Sequence, residues 1–443
     1  MNALLILIGK LFSLASKTVN LGSGSTWPGH VALSFNKNFI KEILARNKDL
    51  KIILIAGTNG KTTTGKLIQT ILMGNGKRVF QNESGANLLN GIASSLLLHS
   101  SILLTINYDY VVFEVDENTL PLALKELTPN YLILLNLFRD QLDRYGEVNT
   151  IVRKWKKALE NLSKNTTLIL NADDPQIAYL GKFRGGESVP PLRWNRIDTS
   201  VFYFGLDDKT LSQKSHQHAV DSTYCPNCNS KLYYNSIYYS HLGDWECKNC
   251  DFKRPKLDIS KYSYYPLPGI YIRYNTLAAI LVAKQIDVGQ KHINSALHKF
   301  TPAFGRQETI RINGKRIQIF LSKNPTSFNE SLRTITTLRA KNVLLVLNDR
   351  IPDGRDVSWI WDVDFEDYVN SFENIIVSGD RTYDMGLRIK YAIYNSELRI
   401  YENLNKAVQK LLREVKSGEI GYVLPTYSAM LEARMILTGR KLL

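Results

Sequence analysis

Lys61 and Thr62 stand directly behind the turn Gly57-Thr58-Asn59-Gly60, which follows the apolar run Lys51-Ile-Ile-Leu-Ile-Ala56 and precedes Thr63 and Thr64. A strand, a glycine turn carrying a lysine and then a helix are the parts of a phosphate cradle. The glycines let backbone N–H groups come close to a phosphate, and the helix N-terminus beyond them favours negative charge. Lys61 can reach the outer phosphates, and the Thr62 hydroxyl can hold Mg²⁺. Two residues separate Gly57 from Gly60, fewer than the four of the common P-loop. The competing reading is an ordinary turn with a surface lysine; the required order of all four parts argues against it.

A second group is carboxylic. The apolar run 111–115 carries Glu114, followed by Asp116 and Glu117. A carboxylate at a strand end beside a phosphate loop is a natural Mg²⁺ ligand or water-orienting group. The alternative is a buried structural carboxylate, which would need a cationic partner. The run 131–137 leads into a crowd of polar groups: Asn136, Arg139, Asp140, Gln141, Asp143 and Arg144. Further on stand Asn171-Ala-Asp173-Asp174-Pro175, then Asn275 on a helical stretch 274–284 and Gly305-Arg306 before a new strand. Asparagine can read an adenine edge and arginine can clamp a phosphate. Taken singly, each of these has an equally good surface reading.

The chain's 4 cysteines form two Cys-x-x-Cys pairs, Cys225/Cys228 and Cys247/Cys250, with residues 229–246 between them. Two such knuckles make a four-thiolate tetrahedral site for structural Zn²⁺. Disulfides are the other reading, disfavoured because no secretion signal is apparent and thiols stay reduced in the cytosol. A closed four-cysteine site keeps no open coordination position, so it is assigned no catalysis. Tyr233, Tyr234, Tyr238 and Tyr239 between the knuckles read as strand residues of a small ribbon.

These residues need elements to position them. Apolar runs at 51–56, 111–115, 131–137 and 167–171 alternate with helical patterns such as 62–73, closed by Gly74. Fully apolar strands alternating with helices indicate a parallel sheet covered on both faces. Ligands bind such sheets at the carboxyl ends of the strands, where the groups above fall. Later strand candidates at 342–347, 374–377 and 421–424 predict a second, smaller α/β domain beginning near Ile310. The apolar stretch 2–19 is too short to span a bilayer and reads as a helix packed on the body, with peripheral membrane contact as the lesser alternative.

The 443 residues suffice for two or three domains, and the net charge of +15 suits an anionic partner: nucleic acid, a nucleotide-linked substrate or an anionic membrane.

The compact Gly-Thr-Asn-Gly-Lys-Thr-Thr of residues 57–63 resembles the Mur ligase family of ATP-dependent peptide-bond formers. On that resemblance Gly57, Thr58, Asn59, Gly60, Lys61, Thr62 and Thr63 form the ATP loop, and Glu114 is the magnesium glutamate. Asn136 with Asp140 matches the next strand-end motif, and residues 171–175, Asn275 and Gly305-Arg306 match nucleotide-binding positions. Three features resemble the MurT branch: the four-cysteine ribbon, the segment 348–362 (Asn-Asp-Arg-Ile-Pro-Asp-Gly-Arg-Asp-Val-Ser-Trp-Ile-Trp-Asp) and the ending Pro425-Thr-Tyr427-Ser-Ala-Met-Leu431. Gln141 stands where most of the family has a metal-binding histidine. None of Lys154, Lys156 and Lys157 can be assigned as the family's carbamylated lysine. The family's Asp-Tyr-Ala-His motif is reduced to Ser322-Lys323-Asn324-Pro325.

The resemblance implies an α/β fold in three parts. They are an N-terminal helical segment (1–45), a Mur-type P-loop domain (46–308) with the zinc ribbon inserted at about 222–254, and a smaller Rossmann-like domain (309–443) contacting a partner. The implied activity is ATP-dependent amidation of the D-glutamate α-carboxylate of lipid II at the cytoplasmic membrane face, with ATP, Mg²⁺ and structural Zn²⁺. A GatD-type glutaminase subunit would supply the ammonia. Within 348–362, Asp356 is placed by motif position to complete that partner's Cys-His-Asp triad, with Asp349 and Asp353 as the other candidates. The rival readings are a Mur- or folylpolyglutamate-type amino-acid ligase and a zinc-ribbon nucleic-acid-binding ATPase. The favoured reading has no nucleic-acid partner.

Overall fold

In the computed structural model, residues 1–18, 26–82, 85–140, 147–183, 200–218, 220–394 and 396–439 are described. Gln141, Asp143 and Arg144 lie outside them.

The first sheet is built from β1 (Lys51–Ala56), β2 (Val79–Gln81), β3 (Tyr110–Val115), β4 (Tyr131–Leu134), β5 (Thr167–Asn171) and β6 (Val201–Phe204). Its order is β2-β3-β1-β4-β5-β6, and every pairing is parallel. Successive residues of β1 feed opposite faces. Ile52, Leu54 and Ala56 join a core that includes the N-terminal helices. Ile53 and Ile55 join one under the helices Lys61–Gly74 and Ile270–Gln285. Burial on both faces is why β1 reads as an unbroken apolar run.

The third apolar run behaves differently from its reading. The strand stops at Leu134, although Leu135, Leu137 and Phe138 stay buried. Apolarity reports burial, and here burial outlasts the ladder: Leu135 N–H still bonds Ala56 O, then the chain turns across the top of β1.

The two-stranded ribbon is β7 (Tyr233–Tyr239) against β8 (Leu242–Glu246). The second sheet takes β9 (Arg306–Ile312), β10 (Lys315–Phe320), β11 (Asn342–Val346), β12 (Asn374–Ser378), β13 (Glu397–Ile400) and β14 (Ile420–Pro425), in the order β13-β12-β11-β14-β10-β9. Five strands are parallel; β9 pairs antiparallel with β10 at the edge. β9 begins at Arg306, so this sheet starts before residue 309. With six strands it matches the first sheet in number. Among the described residues no helix is long and apolar enough to cross a membrane.

Candidate active site

β1 lies between β3 and β4, the point where the strand order reverses, and its loop opens at the carboxyl edge. Gly57 and Gly60 have φ of +146° and +92°. A side chain at Gly60 would also collide with the Asn275 carboxamide. The helix Lys61–Gly74 starts without a side-chain cap, leaving its first N–H groups available to a ligand. Asn136 fixes the loop: its carbonyl accepts from Thr58 N–H at 3.0 Å and its Oδ1 from Asn59 N–H at 2.8 Å.

Lys61 is nearly buried. Its ammonium donates to Gly57 O and, at 3.1 Å, to Thr58 O, and lies 3.9 Å from Glu117. The Thr62 hydroxyl donates to Glu114 Oε2 at 2.7 Å. The two groups expected to share a magnesium ion thus already touch. Burial pushes the Glu114 carboxyl above its usual range, against the Thr62 hydrogen bond and the charges of Lys61 and Arg306. A divalent cation would relieve that burden.

The cleft is roofed by the second sheet. Arg306 at the start of β9, Lys323 beyond β10, Glu330 on the helix Pro325–Thr337 and Tyr427 beyond β14 all line it, facing Lys61, Glu114 and Asn275. Among the described residues, buried Asn275 Nδ2 and Arg306 Nη1 have no hydrogen-bond partner. Unsatisfied buried donors fit an anionic, acceptor-rich ligand such as a nucleotide.

Several expected residues take other places. Asn171, Asp173 and Asp174 do not line the cleft. Asn171 bonds Leu135 O, Asp174 accepts from Leu137 N–H and caps the helix Pro175–Leu180, and Asp173 takes Tyr274 and Arg254. They brace the strand ends. Of the three lysines, Lys154 reaches Asn118 on the loop after β3, Lys156 lies over the Phe183 ring, and Lys157 is exposed. Lys323 forms an ion pair with Asp140, and Asn324 caps the helix Pro325–Thr337 while touching Asn59 at 3.2 Å.

Sequence reasoning did not assign roles to Glu117, Glu330 or Lys323. Glu117 could have been found from its spacing behind Glu114. Glu330 carries no local signal. It is buried, takes Gln217 at 3.2 Å and Arg333 at 3.6 Å, and its Oε2 is unpaired among the described residues. Burial pushes its carboxyl up to about 7, against Arg333 and Gln217. An acid whose pKa rises on folding loses stability as pH climbs from its unfolded value to its folded one. The melting temperature should therefore fall between about pH 4.5 and pH 7 on this account. Glu330→Gln, which carries no charge, should flatten that fall in a pH series of thermal scans. An unchanged slope would remove Glu330 as its source.

Asp356 lies elsewhere, in a shallow hollow with Arg381, Asp384 and Trp361 that shares no residue with the cleft. It bonds Ser358 N–H at 2.8 Å, and that serine holds its carboxyl below the usual range. Asp349 pairs with Arg381 at 3.2 Å, and buried Asp353 accepts from Ser428 N–H at 2.8 Å. The four cysteine sulfurs lie within 4.8 Å of one another, with Cys225–Cys250 at 3.6 Å and Cys228–Cys247 at 3.4 Å.

Comparison with known proteins settles the family. Residues 55–190 match the Mur ligase middle domain and residues 321–430 the MurT ligase C-terminal domain. The MurT subunit of lipid II isoglutaminyl synthase (glutamine-hydrolyzing) from Staphylococcus aureus strain COL is 32% identical over 429 residues, 91% of each chain. The chain belongs to the MurT family. The subunit of the same name from Streptococcus pneumoniae strain R6 is 32% identical over 95% of this MurT-family chain and 94% of its own. Among solved structures, the pseudomurein peptide ligase type C from Methanothermus fervidus superposes with a TM-score of 0.64 at 22% identity, over 90% of this chain and 81% of that one. MurF ligase from Thermotoga maritima, in complex with ADP, gives 0.59 at 15% over the same shares. At such identities the likeness shows the fold: a Mur ligase-like α/β architecture with a parallel sheet and a C-terminal sheet domain. The motif-based resemblance is thus upheld along nearly the whole MurT-family chain.

Proposed function

We propose that this chain is the ATP-using synthetase subunit of a two-subunit amidating enzyme acting on lipid II, working on the cytoplasmic side with a GatD-type glutaminase. A single observation carries the reading: a phosphate loop with its Thr62–Glu114 contact assembled in a chain that matches subunits so named over 91% of its length. The α-carboxylate oxygen of the D-glutamyl residue attacks the γ-phosphorus of ATP, and ADP leaves. Ammonia then attacks the acyl carbon, the C–O bond to phosphate breaks, and D-isoglutamine forms with loss of a proton. Lys61 and Arg306 would neutralise the charge on the transferring group. Thr62 and Glu114 would hold Mg²⁺, which supplies further charge neutralisation on the phosphate oxygens.

The ammonia must come from elsewhere when glutamine is the donor. A glutaminase needs a nucleophile, and all 4 cysteines of this chain sit in the ribbon cluster. A surface suited to a protein partner borders Asp356. Tyr383, Leu387 and Tyr391 are exposed at successive turns of the helix Thr382–Ala392, and Trp361 lies 6.0 Å from the Tyr391 ring. Exposed aromatic residues grouped this way are typical of interface cores.

The amino-acid-ligase alternative is disfavoured because Lys323 and Asn324, at the family's acceptor motif, are committed to Asp140 and to a helix cap. The nucleic-acid alternative expects outward aromatics on the ribbon, yet of its four strand tyrosines only Tyr233 is exposed. The deciding experiment combines this chain, a co-purified glutaminase, ATP and glutamine with lipid II, followed by mass spectrometry. A product one dalton lighter per stem supports amidation. Unchanged lipid II alongside incorporation of an amino acid would overturn it.

The four cysteines are assigned to structural Zn²⁺. A zinc–sulfur bond of about 2.3 Å implies sulfurs about 3.8 Å apart in a tetrahedron, close to the two separations above. The ribbon bears on the body through Trp245, whose indole donates to Ala172 O at 3.1 Å, and through Arg254 on Asp173. Cys225→Ser should therefore lose the metal and lower the melting temperature of the whole chain by several degrees. Elemental analysis of protein purified without chelator that found no zinc would refute the assignment.

A further inference from the structure

We propose that the helix Asn2–Thr18 is a docking face for an anionic lipid bilayer. The helix uses one side to join the body: Leu5 and Ile6 enter the core, and Gly9 and Ser13 are buried on the same side. Leu4, Leu7, Leu11 and Leu14 recur at steps of three and four, which keeps them on a single stripe. That stripe is turned away from the body, with all four leucines between 43% and 63% exposed. A surface helix with its apolar side already packed has no structural use for a second one.

Further apolar groups are exposed close by. The helix Trp27–Phe35 runs back along the first: Pro28 approaches Gly9, and Asn36 bonds Asn2 at 2.9 Å. Trp27 and Phe35 at its two ends are exposed, as are Met1 and Phe12. Tryptophan favours the boundary between water and lipid.

Charge selects the occupant. Residues 1–41 contain Lys10, Lys17, Lys37 and Lys41 and no aspartate or glutamate; every one of the chain's 41 acidic residues lies beyond them. Lys41 reaches Glu126, and Glu42, the first acid, is engaged by Asn2 at 2.6 Å. A second copy would set lysines against lysines across a twofold axis. An anionic surface is attracted by them and accepts the leucines between its headgroups. The helix would lie in the surface plane, because Leu5 and Ile6 are held by the core. The inference deepens the proposed function by placing a lipid-linked substrate within reach, and its test does not depend on catalysis.

Full-length chain, alone and with its glutaminase, is floated with vesicles of phosphatidylcholine with and without phosphatidylglycerol. Wild type should float with the anionic vesicles and release at high salt. The double variant Leu7→Glu/Leu11→Glu should bind at least tenfold less, with an unchanged melting temperature because both sites are exposed. Lys10→Glu should weaken binding by a smaller factor. Amidation of detergent-solubilised lipid II should persist in all three. No flotation, equal flotation of the double variant, or loss of binding once the glutaminase is bound would overturn the proposal. So would a concentration-dependent dimer in light scattering that the double variant abolishes. Flotation without amidation leaves this inference standing and sinks only the proposed activity.

Discussion

Replacing Lys61 with alanine should reduce ATP-dependent amidation by about 10³-fold or more, in line with losing a cation from a phosphoryl-transfer site. Backbone N–H groups of the loop and helix would still attract phosphate, so nucleotide binding should suffer less than turnover. Alanine suits the helix start at this position. The substitution also leaves Glu117 buried without the ammonium 3.9 Å away, so a modest fall in melting temperature is expected. Lys61→Arg separates the two effects. It keeps a positive charge near Glu117, yet its planar guanidinium is poorly matched to the Gly57 and Thr58 carbonyls that position the ammonium. The arginine variant should therefore be stable and still deeply impaired in single-turnover ADP formation. Near wild-type turnover in either variant would break the phosphate-loop assignment.

The second large effect is asymmetric. Asp356→Asn should cut glutamine-driven amidation roughly 10⁴-fold, the size of loss expected when a triad carboxylate can no longer orient its histidine. Amidation driven by added ammonia should persist, because the Asp356 hollow shares no residue with the cleft around Lys61. Geometry favours Asp356 over its neighbours. Asp349 is held by Arg381 and Asp353 by Ser428, whereas Asp356 faces outward, with Ser358 N–H on it among the described residues. Its carboxyl sits below the usual range, so it is ionised at neutral pH, as an orienting group must be. Complex formation with the glutaminase, followed by size exclusion, should survive this isosteric change. Equal loss of both activities would move Asp356 into the synthetase chemistry or the fold; no loss in either would transfer the role to Asp349 or Asp353.

Much of the catalytic half was legible because its signals are local. The strand, turn and helix around residues 51–74 occupy one stretch, and side-chain spacing there reports geometry directly. The cysteine pairs were legible for the same reason. Glu114 could be paired with Thr62 because β1 and β3 are adjacent strands, with Ile55 opposite Glu114. Apart from Arg306, which the motif resemblance supplied, groups brought together by the packing of the two sheets were not legible. Lys323 meets Asp140 across 183 residues of chain, and Gln217 meets Glu330 across 113. Nothing in either neighbourhood announces the other. A strand after Gly305-Arg306 was legible, but its antiparallel edge position was not, since Arg306–Ile312 alternates buried and exposed residues too irregularly to reveal it. Residues 171–175 were visible as a polar turn, but a turn's composition does not tell whether its side chains face a ligand or hold up strand ends.

The division of the cleft between early and late chain has a consequence for the protein's biosynthesis. Its floor comes from residues 58–63 and 114, whereas its roof comes from Arg306, Lys323, Glu330 and Tyr427. A nascent polypeptide emerging from the ribosome exposes the floor first, without the arginine or the lysine that completes the enclosure. Only when Tyr427, at the head of the final helix, has been added can the pocket close. A premature termination product thus keeps a loop that attracts phosphate but lacks the walls that shield it from water, and is poorly equipped to consume ATP.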